Sequence, residues 1–280
     1  MTLKERIEAA SVSDLNDPER KREAHKVFSE LRFFLNAGDV RAAVPQPGSP
    51  AGWVVQEWIR AGILLGIRSG MITETHPHRE LQFFDKHTLP IKRLTAEEGI
   101  RIVPGGSAVR DGVFLGRGVV IMPPSYVNVG AYIDEATLVD SNVLVGSCAQ
   151  IGKQVHLSAG VQLGGVLEPP SGWPVIIEDD VFVSDLAGIR GTIVRRRAVI
   201  GAGVILNSAV PLYDLVKKTV IRAANGLPLI VPEGAVVVPG SLTLSGPFPA
   251  EHGLALQTPV IVKYRDERTN ARTALEQALR

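Results

Sequence analysis

Residues 103–163 read VPGGSAVRDGVFLGRGVVIMPPSYVNVGAYIDEATLVDSNVLVGSCAQIGKQVHLSAGVQL. A valine, isoleucine or leucine stands at every sixth position: Val103, Val109, Leu115, Ile121, Val127, Ile133, Val139, Val145, Ile151, Leu157 and Leu163. A second register lies four residues after each of these. It runs Ser107, Val113, Val119, Ser125, Ala131, Thr137, Val143, Ala149, Val155 and Val161, and breaks only at Leu167. A period of six fits neither a helix, which wants 3.6, nor an alternating strand, which wants 2. It fits a chain that turns a corner every six residues, three hexads to a coil. Stacked coils place the aliphatic residues in columns inside and pair each backbone with the coils above and below. A sandwich of ordinary strands gives no reason for one residue class to recur at one spacing eleven times in succession.

Downstream, the register pauses after Leu163, where GGVLEPPSGWPV is inserted, and resumes at Ile177, Val183 and Ile189. The next aliphatic columns are Val194, Ile200 and Leu206, so one step is five residues long, with Arg190 and Gly191 at the defect. From Pro211 to Ile230 the repeat gives way to a charged loop, then returns at Val231 and Val237. PVIVKY (259–264) reads as extended and TNARTALEQALR (269–280) as a terminal helix. Caps of this kind are expected where a solenoid would otherwise expose an unpaired edge.

Upstream, Thr2–Ala10 and Pro18–Ala37 carry helical periodicity, with Asp17 as N-cap and Pro18 in the first turn. VVQEWIRAGILLGI (54–67) reads as a further helix, and residues 70–96 are mixed. The expected organisation is mainly β. It has an N-terminal helical and mixed domain over 1–100, a parallel β-helix over 101–240 with a loop excursion at 211–230, and a strand-and-helix cap over 241–280.

Composition bounds the function classes. The formal net charge of the 280 residues is +1, so nothing points to nucleic acid or to a membrane surface. The N-terminal MTLKERIEAA has no apolar core, and no run of 18 apolar residues occurs. The expectation is a chain without secretion signal or membrane span, working in the cytoplasm. The one cysteine, Cys148, allows no internal disulfide, packs at an inner corner, and suits a reducing compartment.

The chemistry-bearing residues are few. The main repeat holds one histidine, His156, and no metal site is expected. The glycines at 116–118 and 201–203 mark corners, since no helix follows to make a phosphate loop. Asp134, Glu135 and Asp140 follow column residues, where a side chain faces out along the coil. Arg101 precedes the first coil, and its guanidinium would suit a carboxylate if the substrate is a diacid. Arg195, Arg196 and Arg197 occupy one late corner and could meet a polyanion such as the phosphates of coenzyme A; a solvated corner explains them as well.

The stretch Ile100–Pro169 resembles the tetrahydrodipicolinate N-succinyltransferases. The blocks PSYVNVGAY (124–132), VGSCAQIGK (145–153) and GGVLEP (164–169) are specific to that family. The resemblance runs upstream through EWIRAGILL and FFDK, and downstream through IIEDD, the YDL loop and VPEGAVVVPG. It implies a left-handed parallel β-helix, an exception to right-handed crossovers. It also implies a homotrimer with sites in clefts between neighbouring β-helices. The implied reaction moves a succinyl group from succinyl-CoA to the amino nitrogen of ring-opened tetrahydrodipicolinate. The products are N-succinyl-2-amino-6-oxopimelate and coenzyme A, a step of lysine and diaminopimelate synthesis. No metal or bound redox cofactor is implied; succinyl-CoA is a co-substrate. The resemblance makes Asp140 the group that orients or deprotonates the amine, and Arg101 a ligand for a substrate carboxylate.

One departure stands out. Downstream of IIEDD the family carries a Glu-Gly pair whose glutamate is a second acid/base group. This chain reads VFVSDLAGIRGTIV there, with Arg190 before the glycine and the five-residue step at the same place. The alternatives are therefore an impaired or inactive ligand-binding homologue, or an acetyl-CoA-dependent N-acyltransferase. Asp185 is the carboxylate nearest the defect, but spacing alone does not place it.

Overall fold

The computed structural model describes residues 1–78, 81–167 and 172–268. Its centre is a three-faced parallel β-helix of two- and three-residue strands. Face A stacks Arg101–Ile102, Val120–Ile121, Leu138–Val139, His156–Leu157, Phe182–Val183 and Val199–Ile200, and continues into Ala235–Thr243. Face B stacks Ala108–Val109, Tyr126–Val127, Leu144–Val145, Gln162–Leu163, Gly188–Ile189 and Ile205–Leu206. Face C stacks Phe114–Leu115, Tyr132–Ile133, Gln150–Ile151, Ile176–Ile177, Thr192–Val194 and Leu229–Val231. The chain visits A, B and C in turn, and the fold is the left-handed β-helix that the resemblance implies.

The aliphatic column from Val109 to Leu163 is buried throughout, as is its continuation through Ile177, Val183, Ile189, Val194, Ile200, Leu206, Val231 and Val237. The second register is buried with it, the hydroxyls of Ser125 and Thr137 being spent on backbone oxygens. Most corners reverse the chain through one left-handed residue, three places after the column residue. Glycine takes that place at 112, 118, 130, 160 and 203, while Ala136, Asn142, Cys148, Gln154, Asp180, Leu186 and Arg197 are forced into it. Such a φ is uncommon for a residue with a Cβ, and here the coil geometry dictates it.

The periodicity needs one correction at its start. Ile102, not Val103, aligns with Ile121 on face A, and Val103 aligns with the corner residue Met122. The corner through Pro104, Gly105 and Gly106 therefore holds one extra residue. The five-residue step is present: Val194 pairs with Ile177, and the left-handed residue is Gly191, only two places after Ile189. The neighbouring excursions meet beside it. Trp173 donates from Nε1 to Gly226 O at 2.8 Å, joining the 164–175 and 207–228 segments, and Trp173 O would lie 3.4 Å from a Cβ on Gly191.

Face C is covered by the N-terminal region. Helix α1 (Leu3–Ser11), helix α2 (Pro18–Ala37) and helix α3 (Glu57–Ser69) pack together around Ile7, Phe28, Leu31, Ile59 and Ile63. Asp17 caps α2 by accepting from Glu19 N–H at 2.8 Å, and Gly38 ends it in the left-handed region. The segment read as helix from Val54 instead begins as a strand: Trp53–Val55 pairs with Ala43–Pro45, and α3 starts at Glu57. That hairpin lays Ala43, Ala51 and Trp53 on Ile176 and Ile193 of face C. Trp53 Nε1 and Arg195 Nη1 both donate to Glu178 Oε1, at 2.9 and 2.5 Å, so the first of the three arginines is a structural tie.

The 211–230 excursion is a hairpin rather than an open loop, with Leu212–Asp214 antiparallel to Thr219–Ile221. Ala255–Tyr264 includes the expected extended segment and pairs antiparallel with Ala235–Thr243, closing the last coil. The expected terminal helix at 269–280 lies outside the described residues. No helix among the described residues is long and apolar enough to cross a membrane.

Candidate functional site

The corner between faces A and B carries the first candidate. The residues that follow the face A strands stack as Val103, Met122, Asp140, Ser158, Ser184 and Gly201. Neighbours in this row are one coil apart, about 4.8 Å. Asp140 is held by its own backbone: its N–H donates to Leu157 O at 2.9 Å, and its carbonyl accepts from Ser125 Oγ at 2.7 Å. Its side chain accepts from Ser141 N–H through Oδ1 at 2.7 Å. Oδ2 has no hydrogen bond among the described residues, and the side chain is half-buried. A carboxylate fixed through one oxygen with the other available is an arrangement that can receive a proton.

Arg101 lies on the first strand of face A, exposed, with its N–H donating to Val119 O at 2.9 Å. Two ladder steps separate its strand from Leu138–Val139, which leads into Asp140. The axial separation is therefore about 10 Å. The two candidates share one end of the coil without touching, and a ligand spanning both must itself be extended and anionic at the Arg101 end.

Asp185 falls on the same corner. Ser141, Ala159 and Asp185 stand above one another, as shown by Gly160 N–H donating to Ser141 O and Leu186 N–H to Ala159 O. Asp185 is exposed and two coils above the Asp140 level. Ser158 and Ser184, between the two carboxylates, escaped the sequence reading. Their signal was present, since each directly follows a column residue, Leu157 or Val183.

The corner between faces B and C presents a different row: Arg110, Asn128, Gly146, Gly164, Arg190 and Asn207. Arg110 is engaged with Asp85, Leu89 O and Tyr126 Oη. Arg190 lies on this second corner, across face B from Asp140, so the two cannot face each other within one chain.

The remaining candidates are structural. Glu135 pairs with Lys153 at 2.8 Å, and Asp134 accepts from Glu135 N–H. Cys148 is buried beside α3, and burial pushes its thiol up to about 12, which leaves no thiolate for nucleophilic work. His156 sets its ring at 59° to that of Phe182 on face A, with centroids 4.7 Å apart. Among the described residues, no group of three or more histidine, cysteine or acidic side chains could hold a metal ion.

Comparison with known proteins bears on this arrangement. Residues 2–68 match the family model described as tetrahydrodipicolinate N-succinyltransferase N-terminal. A 2,3,4,5-tetrahydropyridine-2,6-dicarboxylate N-succinyltransferase of Rhodopseudomonas palustris (strain BisA53) is 39% identical over 268 residues, covering 93% of this chain and 91% of that protein. The protein of the same name from Acinetobacter baylyi is 40% identical over 263 residues, 91% of this chain and 89% of its own. That from Polynucleobacter asymbioticus is 40% identical over 252 residues, 88% and 86%. These alignments span most of the chain and the family model matches the helical region, so the likeness is not that of a shared repeat alone. The chain belongs to the tetrahydrodipicolinate N-succinyltransferase family.

Proposed function

We propose that this protein transfers a succinyl group from succinyl-CoA to the amino group of ring-opened tetrahydrodipicolinate, in lysine and diaminopimelate synthesis. The observation that carries the reading is Asp140, a half-buried carboxylate held through Oδ1 with Oδ2 available, in a chain that is a family member over nearly its whole length. The neutral amine attacks the thioester carbonyl. The C–N bond forms, the C–S bond breaks, and the electron pair leaves on the coenzyme A sulfur, which ends as the thiol. The amine proton passes to Asp140 Oδ2. Arg101 holds a carboxylate of the acceptor at the open end of the coil. No metal or resident cofactor enters this scheme.

The site lies between copies in a cyclic trimer. Face C is occupied by the protein's own N-terminal region. The apolar side chains most exposed on the coil are Leu186, 71% exposed on the A–B corner, and Ile205, 42% exposed on face B. A second copy against face B would bury both.

A second reading, a ligand-binding homologue without turnover, is favoured by Arg190 standing where the family carries an acid. The leaving group weighs against it. A thiolate needs less protonic help than an alkoxide, and holding two substrates together supplies much of the acceleration. A free-thiol assay with succinyl-CoA and tetrahydrodipicolinate separates the two. Turnover supports the transferase; succinyl-CoA binding by calorimetry with no thiol release supports the inactive homologue.

A further inference from the structure

Face B is flanked by two corner rows of opposite character. The A–B row contains Asp140 and no cation. On the B–C row, Arg110 is already engaged, Gly146 and Gly164 have no side chain, and Arg190 is exposed with no ion pair or side-chain hydrogen bond among the described residues. Arg190 is not splayed at random. A Cβ built on Gly164 would lie 3.0 Å from its Cγ and 3.5 Å from its Cδ, so its stem rests on the bare backbone one coil below.

Packing face B around an axis parallel to the coils brings the A–B corner of each copy against the B–C corner of the next. Asp140 leads into the strand Leu144–Val145, and Arg190 follows Gly188–Ile189, two ladder steps away. The axial offset is about 10 Å, and the stem on Gly164 reduces it. Across from Asp140, the neighbouring copy thus offers one unspent guanidinium whose stem rests on Gly164.

We infer that Arg190 is a specificity residue contributed in trans, binding the terminal carboxylate of the acyl group while the neighbouring copy's Asp140 serves the amine. This rests on the succinyl-transfer reading and on the trimer. A succinyl group differs from an acetyl group in carrying a carboxylate beyond the reacting carbonyl, and a planar guanidinium binds a carboxylate through two parallel N–H donors. The short corner acquires a purpose in this light: it presents an arginine to the cleft where the family presents an acid.

The test compares succinyl-CoA with acetyl-CoA as donors for the full chain, with tetrahydrodipicolinate saturating, in wild type, Arg190→Ala and Arg190→Lys. Calorimetry of each donor alone runs in parallel. Arg190→Ala should lower kcat/KM for succinyl-CoA by about 10- to 100-fold, leave acetyl-CoA within about two-fold, and abolish the difference in donor affinity. Arg190→Lys should fall between. Equal losses with both donors would point to the shared phosphates and overturn the inference. So would a rise in acceptor KM with either donor, or no change at all. If the wild type turns over neither donor, the transferase reading fails on its own, while the donor affinities still decide the role of Arg190. Joint expression of Asp140→Asn and Arg190→Ala chains tests the trans arrangement. One cleft in each mixed trimer, about a quarter of all clefts in an equal random mixture, should regain wild-type succinyl-CoA efficiency, and absence of any recovery contradicts it.

Discussion

Lys153 and Glu135 stand on adjacent coils of the corner between faces C and A, with Lys153 Nζ donating to Glu135 Oε2 at 2.8 Å. They are two rungs of a longer row. Arg117, Glu135, Lys153, Asp179, Arg196 and Glu233 follow one another up this corner, each carbonyl accepting from the next coil, and their charges alternate in sign without exception. In a stack with a rise of about 4.8 Å, like charges in register would repel at every coil. Alternation turns the same geometry into mutual attraction.

Reversing one rung tests this. Glu135→Lys would leave three cations in succession, the new ammonium standing between Arg117 and Lys153. The melting temperature should fall by about 1–2 °C at low ionic strength, and the deficit should shrink in 0.5–1 M salt, as roughly expected for exposed charges. A loss independent of salt would mean that packing, not charge, is at stake.

The glycines of the B–C row are steric requirements of unequal weight. A Cβ on Gly146 would lie 2.3 Å from Gly165 N and 2.5 Å from Leu163 O, so backbone must move. A Cβ on Gly164 would meet only the flexible stem of Arg190. Gly146→Ala should therefore cost about 1–3 kcal/mol or more. Gly164→Ala should cost less but displace Arg190. Urea midpoints of the two variants should separate in that order.

The coil was legible because its constraint is local and repeated. A column residue every six positions fixes which side chain points in, and adding one gives the corner rows, Asp140 among them. The failures came where a neighbour outside the repeat decides. Val103 kept the six-residue spacing but yielded the column to Ile102, because the end coil has no layer below to enforce the register. The short corner at Arg190 was visible as a spacing, but the Trp173–Gly226 hydrogen bond beside it joins residues 53 apart and left no local trace. Arg190 and Asp140 lie in the same region of sequence pattern but on opposite edges of face B, a separation that only the three-faced winding reveals.

Asp140 and Arg101 should respond differently to substitution. Asparagine at 140 keeps an oxygen to accept from Ser141 N–H, so fold and donor affinity should hold while turnover falls by about 10²-fold or more. Arg101→Ala removes a partner for the acceptor and should chiefly raise its KM, by about 10- to 100-fold, equivalent to roughly 1.5–3 kcal/mol of charge-assisted bonding. Steady-state kinetics and a thermal melt of each variant check both expectations. Near-wild-type turnover in Asp140→Asn would remove Asp140 from the proposed chemistry.

The last coil carries an acid-sensitive latch. Asp214 is buried, and Tyr264 Oη donates to its Oδ2 at 2.6 Å, tying the excursion hairpin to the closing strand. Burial pushes this carboxyl up, but the Tyr264 hydrogen bond and the N–H groups of Lys217 and Val216 outweigh it and hold the carboxyl below its ordinary range. A folded-state value below the unfolded one contributes stability above the unfolded value. That contribution is lost as pH falls through the folded value, because the unfolded chain then binds the extra proton. Tyr264→Phe should cost about 1.5–3 kcal/mol at neutral pH. It should also let the carboxyl rise toward its ordinary value, so that less stability remains to be lost in acid. Unfolding free energies measured from pH 7 down to pH 3 should therefore show the wild-type and Tyr264→Phe curves converging as the pH falls. Parallel curves would show that the tyrosine stabilises the cap through packing alone.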